Sequence, residues 1–204
     1  MRLHPLAVQA GVALVGALFM LIALLAIGAA AAHMALGAGQ AARAERDRQM
    51  AFQLAEAGLA DAQRDIEGGS DPASARAALF EGANGEGFVD GCGRADAVNA
   101  GLCMAGAALP AWQAIDLAAD GEPARAAEYG RFTGAMLPVG RGALPSRLPR
   151  YLIEAMPDAR AGQDASRRSG GLYRITAIGF GVRDSTSAVL QAFYRRLPRE
   201  GETP

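Results

Sequence analysis

The chain has 204 residues, enough for one domain plus one long additional element. Its net charge of -1 excludes the strongly basic surface that nucleic acid or a polybasic membrane contact requires. All 20 basic residues are arginine, so no Schiff-base lysine and no phosphate-loop lysine exists. The only histidines, His4 and His33, lie in or beside the N-terminal apolar segment. The rest of the chain therefore cannot assemble a Ser-His or Cys-His nucleophile pair. Two cysteines with carboxylates alone make a poor zinc set, so neither metal nor cofactor is expected.

With both histidines neutral, the next charged residue after Arg2 is Arg43. From Val12 to Ala32 the chain is almost wholly Ala, Val, Leu, Ile, Phe, Met and Gly. A bilayer core needs about 20 apolar residues as helix, so insertion into a membrane is expected. Three readings compete. A secretory signal peptide would be cut near Ala30-Ala31-Ala32. A signal anchor would stay uncut. The third is a helix whose role extends beyond the membrane, because helical character continues through Ala41, Ala42, Ala44 and Glu45 to about Ile66. Ala51, Ala55, Leu59, Ala62 and Ile66 recur at helical spacing and mark one face, with Arg46, Asp47, Arg64 and Asp65 assigned to a more solvated side. Gly68-Gly69 stops the helix. Such a helix from Val12 to Ile66 is roughly 80 Å long at 1.5 Å per residue. A secreted enzyme has little use for it. A filament subunit does: residues 12–33 form a transmembrane half, later the filament core, and 34–67 an amphipathic half that carries a head.

Gly11-Val12-Ala13-Leu14-Val15, after a short leader (1–11) carrying Arg2, resembles a prepilin peptidase site. The stretch from Arg48 to Ala62, with Ala51-Phe52, Ala55-Glu56-Ala57 and Leu59, is similar to the helix of PilX-type minor pilins. Tyr173-Arg174-Ile175-Thr176-Ala177 and Gly179-Phe180-Gly181 resemble the closing sheet of that family. The resemblance covers the first third of the chain and the last fifth. It implies cleavage after Gly11, a methylated Val12 at the new N-terminus, and a structural role in a type IV pilus rather than an enzyme. It implies an inner-membrane single pass with a periplasmic head, then a place in the filament. Implied partners are the prepilin peptidase, other minor pilins and the major pilin, with a tip adhesin also admitted. The fifth mature residue departs from the pattern: most pilins have a glutamate there, thought to pair with the N-terminal amine of the subunit above, and this chain has Gly16. The departure points to a minor subunit that initiates assembly at or near the tip. Subunit packing is expected from Gly16, Ala51, Ala55 and Leu59.

The head, 70–204, is expected to be a small antiparallel sheet packed on the long helix, giving an α+β fold. Asp71-Pro72-Ala73 starts a short helix reaching Phe80. Gly82 to Gly106 is glycine-rich and irregular and contains Cys92 and Cys103, which an oxidising compartment would join. Trp112 to Leu117 reads as a strand, 121–149 as loops with brief strands, and Tyr151 to Met156 as a strand. Pro157 to Gly171 is a polar, mobile loop. Leu172 to Arg183 and Ser187 to Arg196 are two strands around Asp184-Ser185-Thr186, with a change of alternation near Ala177-Ile178 that suggests a bulge. The tail from Pro198 is polar.

Two other readings share part of this pattern. A minor pseudopilin of a type II secretion system has the same anchor. The large tip pseudopilin carries an inserted helical domain for which this chain lacks room. A signal-anchored periplasmic hydrolase would use Glu154, Asp158 and Asp164 as paired carboxylates.

Overall fold

The apolar run and the small-residue pattern after it fold as one helix, α1 (Val12–Ile66). The glycine pair ends it with a full Schellman cap: Gly68 N–H donates to Asp65 O (3.1 Å) and Gly69 N–H to Arg64 O (2.8 Å), with Gly68 at φ 112°. The computed structural model describes residues 12–81, 85, 87–106, 109–157 and 171–196. The expected leader with Gly11, the polar loop over 158–170 and the tail from Pro198 lie outside them. The chain divides into two units, one up to Glu45 and one from Arg46.

In the second unit, α1 is followed by α2 (Ala75–Glu81), β1 (Leu102–Met104), α3 (Ala111–Ala114), β2 (Ala127–Glu128), β3 (Arg150–Ala155), β4 (Leu172–Phe180) and β5 (Ser187–Arg195). The fold is α+β, as expected, and β3, β4 and β5 form the expected antiparallel meander. The sheet is mixed rather than wholly antiparallel. β1 pairs in parallel with Ile153–Ala155 of β3, and β2 pairs antiparallel with Arg150 and Tyr151 on the same edge. The strand order is β1-β3-β4-β5, which leaves β5 at the far edge.

Three local expectations are corrected. The helix α2 starts at Ala75, not at Asp71, because the Ser74 hydroxyl accepts from Ala77 N–H (3.2 Å) as its cap. The Asp71 carboxylate instead accepts from Ala73 N–H (2.9 Å) in a turn. Trp112 to Leu117, expected as strand, contains none: Ala111–Ala114 form the single turn α3, whose first N–H, on Ala111, donates to the Glu154 carboxylate (2.7 Å). There is no bulge in β4: its register with β5 holds from Leu172↔Arg195 to Phe180↔Ser187. The apparent change of phase arises because both faces of β4 are covered. Tyr173, Ile175 and Ala177 join a core with Ile66, Phe80, Phe88 and Tyr151. Ile178 and Phe180 join a second core with Cys103, Ala111, Leu117 and Leu152. A strand buried on both sides reads as a continuous apolar run.

Candidate assembly interface

Up to Glu45, α1 is long and apolar enough to cross a membrane. Its large side chains are exposed all round: Leu18 58%, Phe19 69%, Leu24 67% and Leu36 68%. A helix apolar on every side belongs in lipid or among other helices. Burying each such leucine or phenylalanine gains about 1.5–3 kcal/mol. Gly16, Gly28, Gly37 and Gly39 face open space, so a neighbouring helix can approach closely at each.

From Arg46 on, α1 uses its buried face differently. Ala51, Leu54, Ala55, Gly58, Ala62 and Ile66 lie against the head, and three carboxylates lie on the same face. Asp47 accepts from Val182 N–H (2.6 Å), the Arg183 guanidinium (3.0 Å) and the Thr186 hydroxyl (2.7 Å). Asp61 accepts from Gly130 N–H (2.7 Å) and the Thr133 hydroxyl. Asp65 accepts from Arg76 through two nitrogens (3.0 and 2.6 Å) and from the Tyr151 hydroxyl (2.9 Å). Arg76 is itself buried, donates to Val98 O (2.9 Å) and Ala100 O (3.0 Å), and lies 4.0 Å over the Phe132 ring. Burial, and next to it the Asp65 charge, push the Tyr151 hydroxyl well above its ordinary pKa, which keeps it a neutral donor. These partners satisfy each buried carboxylate, without which its burial would be prohibitive. The arrangement fastens one helix to the β4–β5 turn, to the loop before β3, and to α2 with β3.

Between Asp47 and Asp61 the contact is made by small residues. A Cβ added at Gly179 would collide with the backbone of Ala51, Leu54 and Ala55, and one at Gly181 with Asp47. Gly58 in turn faces Ala177 and Pro149, where an added Cβ would lie 3.1 and 3.3 Å from theirs. Helix and strand therefore approach to backbone contact.

The residues singled out in the sequence fall in different places. Val12 is the first residue of α1 and is exposed, as is Gly16. Ala51 and Ala55 are 0% exposed and packed against Gly179, so they serve the chain's own head and have no surface left for a neighbour. Leu59 is half-buried against the first core. Asp47 and Asp65, assigned to the solvated side, are buried instead, because each has a complete set of donors waiting in the head. Their spacing was the missed signal: 47, 51, 54, 58, 61 and 65 advance three or four residues at a time along one face. Glu154, a candidate catalytic carboxylate, is fully buried and held by Arg174 through two nitrogens (2.8 and 2.7 Å) and by Ala111 N–H. Asp158 and Asp164 lie outside the described residues. Cys92 and Cys103 are joined in a disulfide that ties the irregular segment to β1. Closing so short a loop contributes about 3 kcal/mol by chain entropy.

Asp47 gives a pH signature. Its carboxyl is held down at about 2, chiefly by the Thr186 hydroxyl; burial opposes this, and Arg183 and Val182 N–H add to it. A depressed carboxyl stabilises the fold fully above its unfolded value, 3.8, and loses that contribution as pH falls towards 2. Asp47→Asn should therefore cost about 1–2 kcal/mol near neutrality, allowing for solvent around Arg183, and the gap should be roughly halved at about pH 3 and largely closed by about pH 2. Urea denaturation of both proteins at about pH 7, pH 3 and pH 2 reads this directly.

Two family models match the chain. The PilX N-terminal model matches residues 10–60, the apolar run and most of the helix face that meets the head. The model for the type IV pilus assembly protein PilX C-terminal region matches residues 92–196, from the disulfide to the end of β5. No curated protein and no solved structure matches. With the second match alone spanning more than half of the sequence, the chain belongs to the PilX family of type IV pilus assembly proteins.

Proposed function

We propose that this minor pilin starts filament assembly and sits at or near the pilus tip, with other minor pilins as its neighbours below. Residues 1–11 are a leader removed between Gly11 and Val12. Residues 12–33 hold the chain in the inner membrane, 34–67 carry the head, and the head, 70–204, lies on the periplasmic side until assembly. The observation that carries this reading is Gly16, exposed and open on α1, with no carboxylate at the fifth mature position. A subunit placed above it would bring an N-terminal ammonium into an apolar core with no partner, which costs several kcal/mol. A subunit with nothing above it avoids that cost.

Gold labelling of intact pili tests the position. Rare terminal labels are expected; labels along the shaft at major-pilin density would overturn it. Mass spectrometry of the mature chain should give a start at Val12, with Arg2 lost and the net charge going from -1 to -2. A start near His33 would mark an ordinary secretory signal instead.

A further inference from the structure

The part of the head that grips α1 at Asp47 mixes exposed apolar side chains with arginine. Asp47 holds Val182 N–H and Arg183, and Ser146 N–H donates to Gly181 O (2.8 Å), so the loop before β3 reaches the same place. That loop folds back on itself through Gly140 N–H to Pro145 O (2.8 Å). Three apolar side chains gathered there, Val139, Leu144 and Val182, are each more than a third exposed. Two of the arginines beside them are matched: Arg183 by Asp47 (3.0 Å) and Arg147 by Asp184 (3.6 Å). Arg46 and Arg141 are exposed and have no partner among the described residues. Glu45, the next acid in sequence, already has one. The patch therefore joins exposed apolar groups to two uncompensated positive charges. Just past the C-terminal end of α1 the exposed charges, Glu67 and Asp71, are negative instead.

Apolar side chains set among guanidinium groups suit a bilayer surface with anionic headgroups. The acyl boundary takes the apolar groups, and lipid phosphate pairs with arginine. The chain itself brings such a surface within reach. With His33 neutral it has no charge between Arg2 and Arg43, and the head grips it at Asp47, four residues later, about 6 Å along a helix. The uncharged stretch from Val12 to Ala42 exceeds the roughly 20 residues that a bilayer core needs, so lipid can extend up to Arg43. This reach follows from chain length alone and holds for any arrangement of the two units. Two arginines fall short of the polybasic surface that recruits a soluble protein. On an anchored chain the encounter is in effect intramolecular, and a weak contact is populated. We propose that the Asp47 end of the head rests on the anionic headgroups of the membrane that holds the chain, through Arg46, Arg141 and the apolar side chains beside them, until assembly lifts it off.

This rests on the membrane-anchored reading and can fail separately from it. The full-length chain is reconstituted in vesicles of phosphatidylcholine alone, or of phosphatidylcholine with phosphatidylglycerol, each containing a headgroup spin-labelled lipid as quencher. A fluorophore is attached at Leu144→Cys or, as control, at Met136→Cys. Met136 is 90% exposed and follows Gly134, which lies beside Ser70 past the far end of α1. Cys92 and Cys103 are joined and buried, so only the introduced thiol takes the label. Quenching at position 144 and not at 136 is expected with phosphatidylglycerol, lost in neutral vesicles and screened by salt. Arg46→Gln and Arg141→Gln should each weaken the contact roughly fivefold. Neither should move the melting temperature of the head, since neither arginine has a partner to lose. Equal quenching at 144 and 136, quenching that persists in neutral vesicles, quenching indifferent to both substitutions, or quenching at 144 only once other pilins are added would each overturn the proposal. A chain that floats with neither kind of vesicle would bring down the anchored reading itself.

Discussion

Replacing Asp65 by Asn is expected to destabilise the head by about 3–5 kcal/mol, because it leaves the buried Arg76 charge without its carboxylate. Arg76 would keep its bonds to Val98 O and Ala100 O and its place over Phe132, yet none of these carries a negative charge. The Tyr151 hydroxyl would keep only a weaker, neutral acceptor. For a head of this size that loss corresponds to a melting point lower by roughly 10 °C. Differential scanning of the full chain in detergent measures it, with the exposed Glu56→Gln as the control that should stay within about 0.5 kcal/mol. The size of the loss reflects the orphaned charge and not the net worth of the pair. The double variant Asp65→Leu, Arg76→Met should therefore recover much of it. An Asp65→Asn protein within about 1 kcal/mol of the parent would show that water reaches Arg76, contrary to its burial.

Gly179→Val should be at least as damaging. Its Cβ would have to occupy space held by the backbone of Ala51, Leu54 and Ala55, which no rotamer change can clear. Overpacking where side chains can yield costs about 1–3 kcal/mol; here α1 itself must move off the sheet, and more than about 3 kcal/mol is expected. Steady-state level in cells should fall several-fold, as a marginal fold that loses this much is degraded. Gly28→Val, with nothing within 4 Å of its added Cβ, should leave the thermal transition of the head unchanged. Equal melting points for Gly179→Val and the parent would mean that helix and sheet are not in contact there.

The sequence made the long helix and the meander readable for different reasons. The apolar run from Val12 is long enough to read as helix whichever of its three roles it has, and Gly68-Gly69 names its own stop. β3 and β5 alternate or end cleanly. β4 was misjudged because alternation reports a strand with one wet face, and this strand has none. The small α3 was hidden because its cause, the Glu154 carboxylate, lies 43 residues further on. The buried carboxylates were hidden for a related reason: a charge on a helix reads as solvated unless its partner is also visible. Nothing local to Asp47 announces Thr186, and nothing local to Asp65 announces Tyr151. The place of β5 at the end of the strand order was equally out of reach, since a strand's position in the sheet is a property of the whole topology.

Those long separations also order events in time. Asp61 meets Thr133 across 72 residues, Asp65 meets Tyr151 across 86, and Asp47 meets Val182 and Thr186 across 135 and 139. A chain made from its N-terminus completes α1 first and its receptors last. For most of synthesis the carboxylate-bearing face of the helix has no counterpart, and closing loops of this length is what slows folding in proteins dominated by distant contacts. The head cannot mature piece by piece behind its anchor. Its folding waits on the last few dozen residues, and a chain that stops short of the β4–β5 turn never gains the outermost of its three fastenings.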